Sequence, residues 1–240
     1  MLTLIELCDN CKPSKNLAAP AVVMNLEQAR LNMVENQIRP WEVLDQTVLD
    51  LLLTIKREEF VPEKYRPLAF ADMEIPLGQG EVMLAPKVEA RMLQELGIRK
   101  TDKILEVGTG SGYVTALLSK LGGQVVTVER IAEFSQSAAR KLAGHGIGNA
   151  QLIIGDAAEG WPELAAYDAI LLTGSVPVLP ESFKRQLVVG GRLLAVVGEE
   201  PVMTAMLINR VAAGAFNSVG LFETSIPPLR NVKQPERFVF

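Results

Sequence analysis

From Lys103 onward, short apolar runs alternate with stretches whose apolar residues recur at three- and four-residue spacing. The runs predict strands over 103–107, 124–128, 151–154, 168–173 and 192–197, and the stretches between them predict helices near 112–121, 131–143 and 180–187. Strands alternating with helices imply a parallel sheet with helices on both faces. "TAMLINRV" and "SVGLFET", joined through "AAGAFN", predict a closing antiparallel hairpin. Upstream, helices are expected over 26–38 and 45–55. Asp45 can cap the second, which carries Val48, Leu51, Leu52 and Ile55 on one side. Residues 57–86 read as loop, with four prolines and two glycines, and "KVEARMLQELGI" returns to helix with Gly97 as its stop. The expected fold is α/β. It has a doubly wound, mostly parallel seven-stranded sheet over 103–240, an N-terminal helical cap over 24–102 and a C-terminal antiparallel hairpin followed by a tail.

A chain of 240 residues has room for one such domain with an extension, and 48% apolar residues suffice for its core. The formal net charge of -4 and a pI near 5.3 give no basic face for nucleic acid. No apolar run approaches the ~18 residues of a membrane span. The first 23 residues lack the basic start and long apolar middle of a signal peptide, and Met24 opens a fresh segment. They read as a weakly ordered leader or an upstream start. Cys8 and Cys11 lie there as C-x-x-C. A zinc site would need two further ligands and the chain has one histidine, His145, so the pair reads as free thiols and no metal is expected. Few cysteines and no export signal point to the cytoplasm.

The chemistry is concentrated in "KILEVGTGSGYVTALLSKLGGQVVTVER", residues 103–130. In open α/β sheets the ligand sits at the carboxyl ends of the strands, near the switch in strand order, which is where the turn after 103–107 falls. A dinucleotide site wants G-x-G-x-x-G, but tyrosine stands at 113, and the turn is Gly108-Thr-Gly110-Ser-Gly112. Glu106 precedes it, and an acid there repels a pyrophosphate and suits a cation, such as an α-amino group or a sulfonium. Glu129, ending the next strand, can accept from both hydroxyls of a ribose. Asp156, after strand 151–154, can accept from an adenine amine. Amino group, ribose and adenine with no provision for phosphate describe S-adenosylmethionine (SAM). The plainer alternative leaves Glu129 and Asp156 as solvated acids at strand ends.

"LEVGTGSGYVTALLSKL", "VVTVER", "GDAAEGWPELAAYDAILLTG" and "GGRLLAVVG", with "REEFVPEKYRPLAFADMEIPLGQGEVMLAP" upstream, resemble the protein-L-isoaspartate (D-aspartate) O-methyltransferases over about residues 28–229. The glycine box is shared by many methyltransferases, whereas the upstream run is far more specific. The resemblance implies the Rossmann-like methyltransferase fold, SAM as cofactor held by Glu106, Gly108, Gly110, Gly112, Glu129, Asp156 and Ala157, and carboxyl methylation of isoaspartyl residues in damaged proteins, a protein-repair reaction. It further implies protein or peptide substrates, and the protein is expected to be a monomer. One departure concerns the acceptor loop. The family carries Thr-Ile-Ser-x-Pro there, its serine facing the methyl acceptor, and this chain reads Val82-Met83-Leu84-Ala85-Pro86. Leucine cannot donate a hydrogen bond. The acceptor-side candidates are therefore Met83, Leu84 and, as a substitute hydroxyl on the same rim, Ser175. The change leaves two alternatives beside the isoaspartyl reaction: methylation of another acceptor, a modified peptide or small molecule, or a SAM-binding module with little turnover.

Overall fold

The computed structural model describes residues 25–234. The expected leader and both cysteines lie outside the described residues. Seven strands form one sheet in the order β5-β4-β3-β6-β7-β8-β9: β3 (Lys103–Val107), β4 (Gln124–Glu129), β5 (Ala150–Ile154), β6 (Tyr167–Leu172), β7 (Leu187–Glu199), β8 (Val202–Ala212) and β9 (Ala215–Thr224). The first five run parallel, and β8 and β9 add an antiparallel hairpin. The fold class and strand positions agree with the sequence pattern. The parallel strands are apolar on both faces. Ile104, Ala169 and Leu171 face one core cluster, and Leu105, Val107, Ile170 and Leu172 face the other. This two-sided burial is what makes them read as continuous apolar runs rather than alternating ones.

The helices divide between those two layers. α4 (Tyr113–Leu121) and α5 (Ala132–Gly144) cover one face, and α6 (Glu181–Arg185) packs Phe183 on the other. The cap comprises α1 (Leu26–Met33), α2 (Gln46–Thr54) and α3 (Pro86–Leu96). Asp45 caps α2 as expected, its carboxylate accepting from the N–H groups of Thr47 and Val48. The predicted helix over 26–38 is α-helical only to Met33, and Val34–Ile38 forms a π turn. α3 buries Val88, Met92, Leu93 and Leu96, each fully buried apolar side chain contributing about 1.5–3 kcal/mol. It ends at Gly97 in the left-handed region. Arg192 from β7 donates to the orphan carbonyls of Leu96 and Gly97 and pairs with Asp102 at 2.5 Å, fixing α3 to the sheet.

The segment read as loop contains a small antiparallel hairpin, β1 (Ile75–Gly78) with β2 (Glu81–Met83), pairing Ile75 with Met83. Pro76, Gly78 and Gly80 mask it in the sequence, because strands this short carry no periodicity. The hairpin and the N-terminus of α3 form a wall opposite the carboxyl edge of the sheet.

Candidate active site

A cleft partly open to solvent lies between that wall and the ends of β3, β4, β5 and β6. Its sheet side is built from the turns that follow the strands: Gly108–Ser111, Glu129–Ile131, Gly155–Ala158 and Thr173–Gly174. Its other side is Leu77, Glu81–Leu84 and Glu89, and Pro227–Arg230 close one end.

The glycine turn takes its shape from positive φ at Gly108, Gly110 and Gly112. Gly108 is required twice over. Its φ is +95°, and a Cβ there would overlap Thr173 Oγ1, which hydrogen-bonds the carbonyls of Val107 and Gly108 at 2.9 and 2.8 Å. Gly112 serves packing instead. It is the N-cap of α4, and a Cβ would lie 2.8 Å from the Ala138 side chain on α5.

Glu129 ends β4, buried and aimed back at the turn. Its carboxylate accepts from the N–H groups of Gly110 and Ile131, both at 2.9 Å. Each oxygen keeps a further lone pair for a ligand. Asp156 accepts from the Ala158 N–H at 3.0 Å and from Asn231 Nδ2 at 2.5 Å. Ile131 and Phe134 add apolar lining to the same cleft.

The structure thus brings Gly108, Gly110, Glu129, Asp156, Ala157, Met83 and Leu84 around one cleft, and three other candidates lie elsewhere. Gly112 packs on α5. Glu106 shares the β3 face of Ile104, so its side chain runs beneath the turn toward α4 and has no exposed surface. There it accepts from Thr115 Oγ1 at 2.5 Å, while Oε1 has no partner. Burial pushes its pKa up to about 8, against the hydroxyls of Thr115 and Thr127 and reinforced by the charges of Glu129 and Glu89. Glu106 is therefore not part of the cleft lining. Ser175 is 1% exposed and donates to the Ile226 carbonyl at 2.9 Å. It pins the segment after β9 beneath the cleft and presents no hydroxyl to it.

Two residues that the sequence analysis did not single out organise the acceptor wall. Arg57 is fully buried. It donates from Nε to the Ala69 carbonyl at 2.9 Å and from Nη2 to the Leu84 carbonyl at 2.6 Å, pairs through Nη1 with Glu89, and stacks on Tyr113. Glu89 stands in the first turn of α3 and lines the cleft. Burial outweighs Arg57 and pushes its carboxyl up to about 7. The sequence carried a signal for Glu89, which occupies the first place of the apolar stripe continued by Met92, Leu93 and Leu96. Such a place is rarely given to an unpaired acid.

Comparisons with known proteins agree with the fold. The family profile of protein-L-isoaspartate(D-aspartate) O-methyltransferases matches residues 28–229. A protein-L-isoaspartate O-methyltransferase of Koribacter versatilis is 40% identical over 200 residues, covering 83% of this chain and 90% of the relative. One from Rhodopseudomonas palustris is 38% identical over 208 residues, covering 85% and 95%. Among solved structures, a protein-L-isoaspartate O-methyltransferase superposes with a TM-score of 0.70 at 26% identity, covering 83% of this chain and 65% of that one. A Plasmodium falciparum structure, described as a protein-L-isoaspartate O-methyltransferase in complex with S-adenosyl-L-homocysteine, superposes with a TM-score of 0.73 at 21% identity and shares the fold over 84% of this chain and 98% of its own. The chain belongs to the protein-L-isoaspartate(D-aspartate) O-methyltransferase family.

Proposed function

We propose that this protein methylates isoaspartyl carboxylates in proteins and peptides with SAM as donor, acting as a cytoplasmic repair enzyme and as a single chain. One observation carries the reading: the cofactor half of the cleft, with the glycine turn, Glu129 and Asp156, faces the acceptor wall at Val82–Leu84 and Glu89 across one shared cavity.

The residues present fit SAM. Gly108 and Gly110 let backbone approach a ligand closely, Glu129 has lone pairs left for ribose hydroxyls, and Ile131 and Phe134 offer an apolar slot for a purine beside Asp156. When bound, SAM supplies a methyl group on a positively charged sulfur. The chain's part is to orient and to exclude water. A carboxylate acceptor is already ionised at neutral pH and needs no base, so alignment in a dry cleft provides most of the acceleration. Arg57 contributes by fixing the carbonyls of Ala69 and Leu84, which holds the acceptor wall in place.

The apolar surface at Val82, Met83 and Leu84, together with the sequestered Ser175 hydroxyl, favours a second reading in which the same donor serves another acceptor. Transfer of labelled methyl from SAM to an isoaspartyl peptide, beside its aspartyl twin, separates the two. The first reading expects methyl ester on the isoaspartyl peptide alone. Label on neither peptide, with SAM bound, overturns the first.

A further inference from the structure

The acceptor wall carries one buried carboxyl among the described residues, and its surroundings define its use. Glu89 is 3% exposed and lines the cleft from the first turn of α3. Arg57 takes Oε2, and its own remaining bonds to Ala69 and Leu84 leave it little freedom to move. Among the described residues the one side-chain partner of the Glu89 carboxyl is Arg57, which takes Oε2 and leaves Oε1 on the cleft side. The neighbouring wall at Val82, Met83 and Leu84 has no side-chain donor to offer an acceptor.

We infer that Glu89 binds the methyl acceptor directly, donating a hydrogen bond from a protonated Oε1 to the acceptor carboxylate while Oε2 stays on Arg57. This rests on the isoaspartyl reading and specifies how that substrate is recognised.

Two carboxyl groups side by side share one proton, because both cannot ionise together. The proton settles on the weaker acid. A main-chain α-carboxyl titrates near pH ~3.5 and an ordinary glutamate near ~4.3, and burial lifts Glu89 to about 7. The proton therefore stays on Glu89 and the acceptor stays ionised, which is its nucleophilic form. The ionisable groups electrostatically coupled to Glu89 are Arg57, which pairs with it, Tyr113 from α4 and Glu106 from β3. Burial raises Tyr113 far above neutrality and Glu106 to about 8, so both are uncharged near pH 7 and Arg57 is the one fixed charge among these three. In the transfer itself a carboxylate lone pair forms the new C–O bond, the C–S bond breaks, and its electron pair remains on sulfur. No proton moves, and Glu89 keeps its own through the step.

The test is binding, which is free of turnover. An isoaspartyl peptide is titrated calorimetrically into the protein saturated with S-adenosylhomocysteine, from pH 6 to 9, in two buffers of different ionisation enthalpy. Affinity should fall about tenfold per pH unit above the Glu89 pKa, with proton uptake approaching one per peptide. Glu89→Gln reproduces the protonated carboxyl, since its amide accepts from Arg57 and donates at every pH. It should bind with a flat profile and no proton uptake, its S-adenosylhomocysteine affinity and thermal midpoint near wild type. Wild-type affinity that is level or rises with pH, or a Glu89→Gln variant that is folded and loses the peptide, overturns the role of Glu89 and leaves the isoaspartyl reading standing. Absence of isoaspartyl binding by the wild type at every pH overturns both.

Discussion

Thr115 on α4 donates a 2.5 Å hydrogen bond to Glu106 on β3, and the other oxygen of that carboxyl is buried without a partner. The pair sits directly under the turn that forms the cofactor side of the cleft. A glutamate held this way is a neutral acid at pH 7, with consequences for stability that can be measured.

Folded Glu106 titrates near 8, against 4.5 for the free side chain. The folded state then holds a proton that the unfolded chain has released, so stability falls as pH rises between those values. Glu89 adds the same sign up to about 7. Between pH 7 and 8 Glu106 dominates, with a ceiling of about 1.4 kcal/mol per pH unit. Thermal unfolding from pH 5 to 8.5 should show a declining midpoint. Glu106→Gln should flatten the part above pH 7. A wild-type midpoint that climbs over this range would contradict an acid buried in its neutral form.

Glu129 braces the turn and offers lone pairs to a ligand at once. Glu129→Ala removes the acceptor for the N–H groups of Gly110 and Ile131 and any bond to a ribose. Unpaired buried donors cost about 1–3 kcal/mol, so SAM and S-adenosylhomocysteine should bind roughly ten to a hundred times more weakly, with the sheet intact by circular dichroism. Unchanged affinity by calorimetry would return Glu129 to a bracing role alone.

What could be read from the chain followed the regularity of its pattern. The parallel strands were legible because burial on both faces leaves uninterrupted apolar runs. Glu129 and Asp156 were legible because strand ends in such a sheet have a fixed relation to the crevice. The β1–β2 hairpin was not, since its glycines and prolines encode only a break. Ser175 and Glu106 lie off the cleft lining for a common reason. Spacing puts a residue at a strand's end, but the side chain's direction depends on which face of the strand it occupies and on what packs there. For Ser175 that neighbour is Ile226, 51 residues away along the chain. The Arg57–Glu89 pair joins residues 32 apart, and no local pattern links them.

Leu84 is 6% exposed, and its carbonyl is held by Arg57. It lies in the segment that the sequence reads as loop, yet its side chain is buried, so serine there carries a cost. Leu84→Ser should destabilise by roughly 2–4 kcal/mol, the scale of large-to-small changes in a core with a hydroxyl added. SAM affinity should stay within about threefold, because Leu84 lies on the opposite wall. The initial rate on isoaspartyl peptide at saturating SAM should rise, because the variant adds a donor on the acceptor side. A folded, SAM-binding variant as inactive on this peptide as the wild type would count against the isoaspartyl reading and favour another acceptor.

Gly108 links the sheet to the cleft, since its backbone is positioned by Thr173 on one side and faces the cleft on the other. Gly108→Ala introduces two faults. Alanine resists a φ of +95°, and its methyl overlaps Thr173 Oγ1. The strain alone is on the order of 1–3 kcal/mol, and relieving the overlap moves either the turn or the end of β6. SAM binding should fall at least a hundredfold, with the unfolding midpoint lowered. The double variant Gly108→Ala/Thr173→Ala separates the faults. It removes the overlapping oxygen and leaves the unfavourable φ, so it should recover part of the lost stability and little of the SAM affinity. Thr173→Ala alone should cost about 1 kcal/mol for the bonds to the Val107 and Gly108 carbonyls. Full additivity of the two single changes would show that the methyl and the hydroxyl do not meet, and the close approach of β6 to the glycine turn would have to be abandoned.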